Sequence, residues 1–265
     1  ANMGGFGDLF ESFFGGARSQ GNRDKGADHE VQMQMNLSDV LKGVKVPIAF
    51  DRLVLCKTCE GNGAEPGSKI INCETCGGTG QVTRLTNSLF GQIQQRMVCA
   101  TCKGSGTVPE KPCHTCKGEG RVRERSTITV DIPAGIEDGQ TLRVRGQGDA
   151  GRKNSQAGDL FVHIRVPVDQ TFIRNGSDIH STFPVELLTV LLGGEVSVPT
   201  LHGNVTLAVA EGTQPGAVLR IKGKGLPEVG RSRHGDHYVT VKVEVPRRLS
   251  RSERKLLEEW RGLSR

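Results

Sequence analysis

Eight cysteines carry the chemistry that this sequence announces by spacing. They form four octets, Cys56-Lys-Thr-Cys59-Glu-Gly-Asn-Gly63, Cys73-Glu-Thr-Cys76-Gly-Gly-Thr-Gly80, Cys99-Ala-Thr-Cys102-Lys-Gly-Ser-Gly106 and Cys113-His-Thr-Cys116-Lys-Gly-Glu-Gly120, each reading C-x-x-C-x-G-x-G. Two thiolates three positions apart on a tight turn grip one tetrahedral zinc and a second turn completes the set, so four turns make two closed four-thiolate sites. The glycines let the backbone pass under the metal at positive φ and aim amide N–H groups at the sulfurs. A single C-x-x-C fits thiol–disulfide chemistry as well; four glycine-tailed copies point to structural zinc. With no cysteine left over, the pattern suits a reducing compartment.

The elements that must position these turns are read from an internal repeat. Gly135, Gly139, Leu142, Arg143, Gly146, Gly148, Gly158 and Asp159 recur as Gly212, Gly216, Leu219, Arg220, Gly223, Gly225, Gly235 and Asp236, all displaced by 77. Asp28, Leu37, Val40, Leu41, Gly43 and Val46 recur as Asp178, Leu187, Val190, Leu191, Gly193 and Val196, displaced by 150. Copy one therefore holds 73 extra residues between Val46 and Gly135, and every cysteine lies among them. The cysteine module is an insertion in the first of two similar β-domains. An insertion leaves and re-enters its host at neighbouring points, so the first and last turns should meet. That predicts nested pairing: one zinc on Cys56, Cys59, Cys113 and Cys116, the other on Cys73, Cys76, Cys99 and Cys102. Each site contributes on the order of ~10 kcal/mol to folding a segment poor in apolar residues, so chelation should unfold the module and leave the host domains folded.

Apolar residues alternate at Val31, Met33 and Met35 and again at Val44, Val46, Ile48 and Phe50, which predicts half-buried strands around a short turn or helix at Leu37 to Leu41. Further strands are expected at Ile128 to Ile132, Thr141 to Arg145 and Leu160 to Val166, and a hairpin arm over Val82 to Val98. The fold class is mainly β: two tandem sandwich or small-barrel domains, a two-zinc module inserted in the first, and a C-terminal helix. The boundaries read are 1–27 as a linker with one helical turn over Asp8 to Phe14, 28–52 with 121–166 as the first β-domain, 53–120 as the module, 167–246 as the second β-domain and 247–265 as the helix. Ser250-Arg-Ser-Glu253 is a capping box. Leu256, Leu257, Trp260 and Leu263 then form an apolar stripe that must be covered, by its own second domain or by another chain.

Composition narrows the function. No run reaches the ~18 apolar residues of a membrane span. The charge is +6 and the pI near 9.0, but two Zn²⁺ add four charges and eight thiolates remove eight, leaving +2, so nucleic acid is not an expected partner. Gly223-Lys224-Gly225 lacks the spacing and hydroxyl of a phosphate loop. His234-Gly-Asp-His237 meets Ala157 and Leu160 in copy one, so no metal or catalytic role is assigned to it, and His114 is a solvent-facing spacer. No acid–base pair or nucleophile constellation emerges, so a binding protein rather than an enzyme is predicted. Met33 and Met35 suit a promiscuous surface or ordinary core packing.

The fourfold octet closely resembles the cysteine-rich region of DnaJ-type co-chaperones of the zinc-carrying class, and the flanking sequence resembles the remainder of such proteins after their J domain. The resemblance implies the same nested zinc pairing. It also implies that residues 1–27 are the tail of a Gly/Phe-rich segment with a J domain before residue 1; no His-Pro-Asp tripeptide occurs in these residues. By the same resemblance Ile48, Phe50, Ile128 and Phe172 line a client groove in the first domain, with Phe172 where the two domains join. The C-terminal helix pairs two chains into a V-shaped homodimer. The implied function is to hold unfolded or non-native polypeptides against aggregation and deliver them to a DnaK-type chaperone, in a bacterial-like cytoplasm. Two readings compete: a thiol–disulfide oxidoreductase or isomerase using the C-x-x-C pairs, and a zinc-ribbon nucleic-acid binder.

Overall fold

The computed structural model describes residues 24–88, 91–231 and 233–263, with side chains for all of these but 86–88 and 91–93. Most of the linker read over 1–27, its helical turn included, lies outside the described residues, as do Leu89 and Phe90 of the arm. In chain order the elements are β1 (His29–Gln34), α1 (Leu37–Lys42), β2 (Val44–Leu55), β3 (Ile70–Asn72), β4 (Gln81–Ser88), β5 (Gly91–Val98), β6 (Thr107–Pro109), β7 (Arg121–Ile132), β8 (Thr141–Val144), β9 (Leu160–Arg165), β10 (Ile173–Asn175), β11 (Asp178–Glu186), α2 (Leu187–Leu192), β12 (Gly194–Thr200), β13 (Gly203–Val209), β14 (Val218–Ile221), β15 (His237–Glu244) and α3 (Arg251–Leu263). The fold is mainly β, as the alternation requires, and among the described residues no sheet closes into a barrel.

The duplication is written in the topology. Copy one orders its sheet β1-β9-β8 and copy two β11-β15-β14, extended by β10. The same side chains hold both. Asp28 and Asp178 each accept the N–H of Asp159 or Asp236 at 2.7 Å, and those two aspartates accept Gly146 N–H and Gly223 N–H, again at 2.7 Å. Arg52 in copy one and His202 in copy two, equivalent at a displacement of 150, both donate to the carbonyl of the matching glycine, Gly148 or Gly225. β12 and β13 form a hairpin that closes at Thr200↔Gly203. Their counterparts β2 and β7 run to 12 residues each against 7, and the cysteine module leaves and returns at their far ends.

The chain divides into two compact units. One comprises Ala49–Ile128, Arg143–Phe161 and the described part of Ala1–Glu30; the other comprises Val31–Ile48, Thr129–Leu142 and the chain from Val162 onward. The first holds all eight cysteines, with β3–β6 and β4–β5 as small antiparallel pairs between the knuckles. A loop of the host also braces the module: Arg121 donates to Ala150 O at 2.7 Å, and Lys153 Nζ to Thr107 Oγ1 at 2.8 Å. The second unit holds the aliphatic cores. Val185, Val190 and Val241 pack with Phe183 and Leu219, and Val198, Ile221 and Val239 pack with Val205 and Leu207. Burial of such side chains is the main driving force available to so glycine-rich a chain.

Candidate metal centres

Each octet folds as a tight knuckle, and the knuckles meet in the nested pairs that the insertion predicts. Cys56, Cys59, Cys113 and Cys116 bring their sulfurs within 4.8 Å of one another, and so do Cys73, Cys76, Cys99 and Cys102. Across the first pair Cys56–Cys113 and Cys59–Cys116 stand 4.0 and 3.7 Å apart; across the second Cys73–Cys99 and Cys76–Cys102 stand 3.8 and 3.7 Å apart. Sulfurs about 2.3 Å from a tetrahedral zinc ion lie about 3.8 Å from each other. They are far too distant for the ~2.05 Å of a disulfide. The two clusters can hold one metal ion each, and their all-thiolate composition suits zinc.

The glycines act as the sequence requires. The last glycine of each octet donates its N–H to the second cysteine sulfur: Gly63 to Cys59 at 3.3 Å, Gly80 to Cys76 at 3.2 Å, Gly106 to Cys102 at 3.3 Å and Gly120 to Cys116 at 3.1 Å. Its carbonyl accepts the N–H of the first cysteine of the partner knuckle, reciprocally, at 2.8–3.0 Å: Cys56→Gly120, Cys113→Gly63, Cys73→Gly106 and Cys99→Gly80. This backbone clasp needs bare Cα atoms, because a Cβ on Gly120 would stand 2.3 Å from Gly61 O.

Opposed ionisation within each cluster shows what the metal would supply. Burial works against the Cys56 thiolate, but the N–H groups of Cys59 and Thr58 bring its pKa down to about 7; at Cys116 burial prevails and pushes it up to about 12. Burial also opposes Cys102, where Gly106 and Gly104 N–H groups draw it down to about 6, and it pushes Cys73 up. Thiols packed this closely do not all carry charge alone, and a dication held by the four sulfurs would favour the thiolate form of each.

Two further contacts at these sites went unread in the sequence. Thr58 and Thr115 hydroxyls meet at 3.0 Å above the first cluster, and Thr75 and Thr101 at 3.0 Å above the second. The signal was present, since all four octets carry Thr before the second cysteine. His114 is exposed and faces Glu65, with its Nδ1 2.9 Å and its N–H 2.9 Å from the carboxylate. Glu65, Cys113 and His114 also bring one ligand atom each within 4.8 Å of one another, so His114 is more than the plain spacer expected from the sequence.

The DnaJ C terminal domain family matches residues 29–246. The chain is 43% identical over 269 residues to a protein of Ruminiclostridium cellulolyticum, 43% over 267 to one of Geobacillus kaustophilus and 40% over 259 to one of Methanothermobacter thermautotrophicus, each named Chaperone protein DnaJ. These matches cover 99%, 99% and 97% of this chain and 71%, 69% and 69% of the relatives. The chain belongs to the DnaJ family.

That membership supports a chaperone role and gives the two clusters the setting of DnaJ metal sites. Of the residues expected to line a groove, Ile48 and Phe50 sit half-buried on one face of β2, and Ile128 half-buried on β7. The Phe50 ring lies 5.3 Å from that of His29. Half-buried Phe172 sets its ring edge-on to His237 at 5.7 Å. Met33 is half-buried, but Met35 is 2% exposed. Of the two readings of that methionine, core packing is the one that holds, and Met35 is not part of an open surface. On α3 the capping box forms, with Glu253 N–H to Ser250 Oγ at 3.2 Å and Ser250 N–H to Glu253 Oε2 at 2.6 Å. Leu256, Trp260 and Leu263 are 65%, 50% and 84% exposed and Leu257 half-buried, so the second domain of the same chain leaves the stripe largely open. Among the described residues no metal-competent group includes His234 or His237, and no helix is long and apolar enough to cross a membrane.

Proposed function

We propose that this chain is the client-holding part of a DnaJ-type co-chaperone. It binds one Zn²⁺ on Cys56, Cys59, Cys113 and Cys116 and another on Cys73, Cys76, Cys99 and Cys102. It holds non-native polypeptides against aggregation and passes them to a DnaK-type chaperone in the cytoplasm. In this reading 53–120 is the zinc module carried by the first β-domain (28–52 with 121–166), 167–246 is the second, and 247–265 pairs two chains through Leu256, Leu257, Trp260 and Leu263. It works by binding, without catalysis of its own.

The observation that carries the proposal is the half-buried apolar face of β2. Ile48 and Phe50 remain partly open on a strand that is paired, among the described residues, with β7 alone. An extended polypeptide can add itself to such a strand by main-chain hydrogen bonds, its side chains meeting the apolar face; Ile128, Phe172 and Met33 extend the set. The sulfur geometry speaks for zinc over redox chemistry, since four sulfurs gather within 4.8 Å of one another in each cluster, as a tetrahedral ion requires, where a redox pair needs only two. Ile48→Ser and Phe50→Ser should each weaken suppression of the aggregation of a denatured test protein several-fold with zinc content unchanged. Unaltered suppression by both would remove the client site from this face. Eight readily titrated thiols in the metal-loaded chain would favour the oxidoreductase instead.

A further inference from the structure

Copy two gathers four of the chain's seven histidines, at 180, 202, 234 and 237. His237 opens β15 with 0% of its surface exposed. Its Nε2 meets Ser181 Oγ at 2.8 Å, while Nδ1 is buried with no hydrogen-bond partner. Copy one places Leu160 and Val31 at the matching positions, so copy two has a polar pair where its twin has an apolar contact. The pair is no nucleophile relay, because Ser181 is 8% exposed and no carboxylate orients the ring.

The surroundings of His237 offer a proton no compensation. β11 supplies Ser181 and His180, the latter stacked on Tyr238 at 5.1 Å. The β12–β13 turn supplies His202, edge-on to His234 at 5.6 Å. The neighbouring carboxylates are engaged elsewhere: Asp236 accepts Gly223 N–H and pairs with Arg220 on β14, and Asp178 accepts Asp236 N–H. Phe172 covers the ring with its edge.

We propose that the Ser181–His237–Phe172 contact makes the second β-domain acid-sensitive: protonation of His237 in mild acid forces its ring out of the pocket and frees Phe172. Burial, then the like charges of His180 and His202, hold the ring neutral below its ordinary range. The unfolded chain takes up the proton near pH ~6.5. The stabilisation from the neutral ring is therefore complete above that value and lost as pH falls towards the lower folded value, by up to ~10-fold in the unfolding equilibrium per pH unit. Insofar as Phe172 meets clients, as proposed above, acid would also alter client holding; the acid response itself does not rest on that reading.

The test is urea unfolding of the metal-loaded chain at pH 7.5 and 5.5, beside the double variant His237→Leu, Ser181→Val, which restores the residues of copy one. The parent should lose about tenfold in the unfolding equilibrium relative to the variant, and its His237 ring signal in NMR should stay neutral to well below the exposed histidines. An equal pH response in parent and variant, or titration of His237 in the ordinary histidine range near pH ~6.5, overturns the proposal. Should the variant not fold, the NMR titration of the parent decides alone. Aggregation suppression measured on the same samples separates the two readings: an acid response without a change in suppression would count against the client role of Phe172 only.

Discussion

Gly120→Ala tests whether the backbone clasp sets the metal geometry. The new methyl would stand 2.3 Å from Gly61 O and 2.9 Å from its carbonyl carbon, whereas ordinary contact begins at 3.4 Å, so knuckles one and four must part by about 1 Å. Both atoms are backbone, between Cys59 and the Gly63 N–H that bonds its sulfur, so no flexible side chain can yield. Parting breaks the Cys56 N–H bond to Gly120 O and shifts the Gly120 N–H away from Cys116 Sγ. Losing such outer partners typically costs ~10- to 100-fold in metal affinity, and the left-handed conformation at φ +72 adds about 1–2 kcal/mol. Gly77, at φ +60 with nothing within 4 Å, is the control, since Gly77→Ala carries the conformational penalty without the clash. After dialysis against a weak chelator, native mass spectrometry should count one zinc in the Gly120→Ala chain and two in Gly77→Ala. Gly106→Ala, whose Cβ would meet Gly78 O at 2.2 Å, should lose the other zinc. Two metals retained equally by Gly120→Ala and Gly77→Ala would refute the clasp.

Thr58→Val with Thr115→Val removes one neutral hydrogen bond, worth about 1 kcal/mol, and should speed zinc transfer from the first cluster to a chromogenic chelator about fivefold while the second cluster is unaffected. Trp260→Ser with Leu256→Ser should halve the mass in solution by light scattering; an unchanged mass would reject pairing through α3. Asp159 is held below the usual carboxylate range by the N–H of Gly146 and by Arg143. Its contribution to stability is therefore present above about pH 4 and lost as pH falls through its lower folded value. Asp159→Asn should flatten the fall of the melting temperature below pH 4, and an unchanged slope would contradict that assignment.

The metal sites were legible because their ligands are consecutive turns, and because the arithmetic of the repeat shows which turns stand at the neck of an insertion. The repeat was legible chiefly in glycines and aspartates, where turn geometry dictates the residue. Arg52 and His202 share one bond in the two copies yet look unrelated, since a carbonyl accepts from either. Met33 on β1 and Met35 just past its end keep the same period, and only what each packs against makes Met35 core and leaves Met33 half-buried. The Ser181–His237 contact depends on the parallel pairing of β11 with β15, a relation between segments 56 residues apart that no local pattern announces. For α3 the stripe and its cap can be read from the sequence, but a stripe declares that it needs cover without naming the cover.

Copy two ends its hairpin at Leu201-His202, the place where copy one extends each strand by five residues into a neck. The host ladder is thus complete without its passenger. Joining Phe50 to Ser126 through Leu-His should leave a pair of plain twin sandwiches, and the tip of β12–β13 is a ready socket for a transplanted thiolate module. The thiolate module should then be portable between the halves, and the asymmetry of this protein is one of equipment and not of chassis.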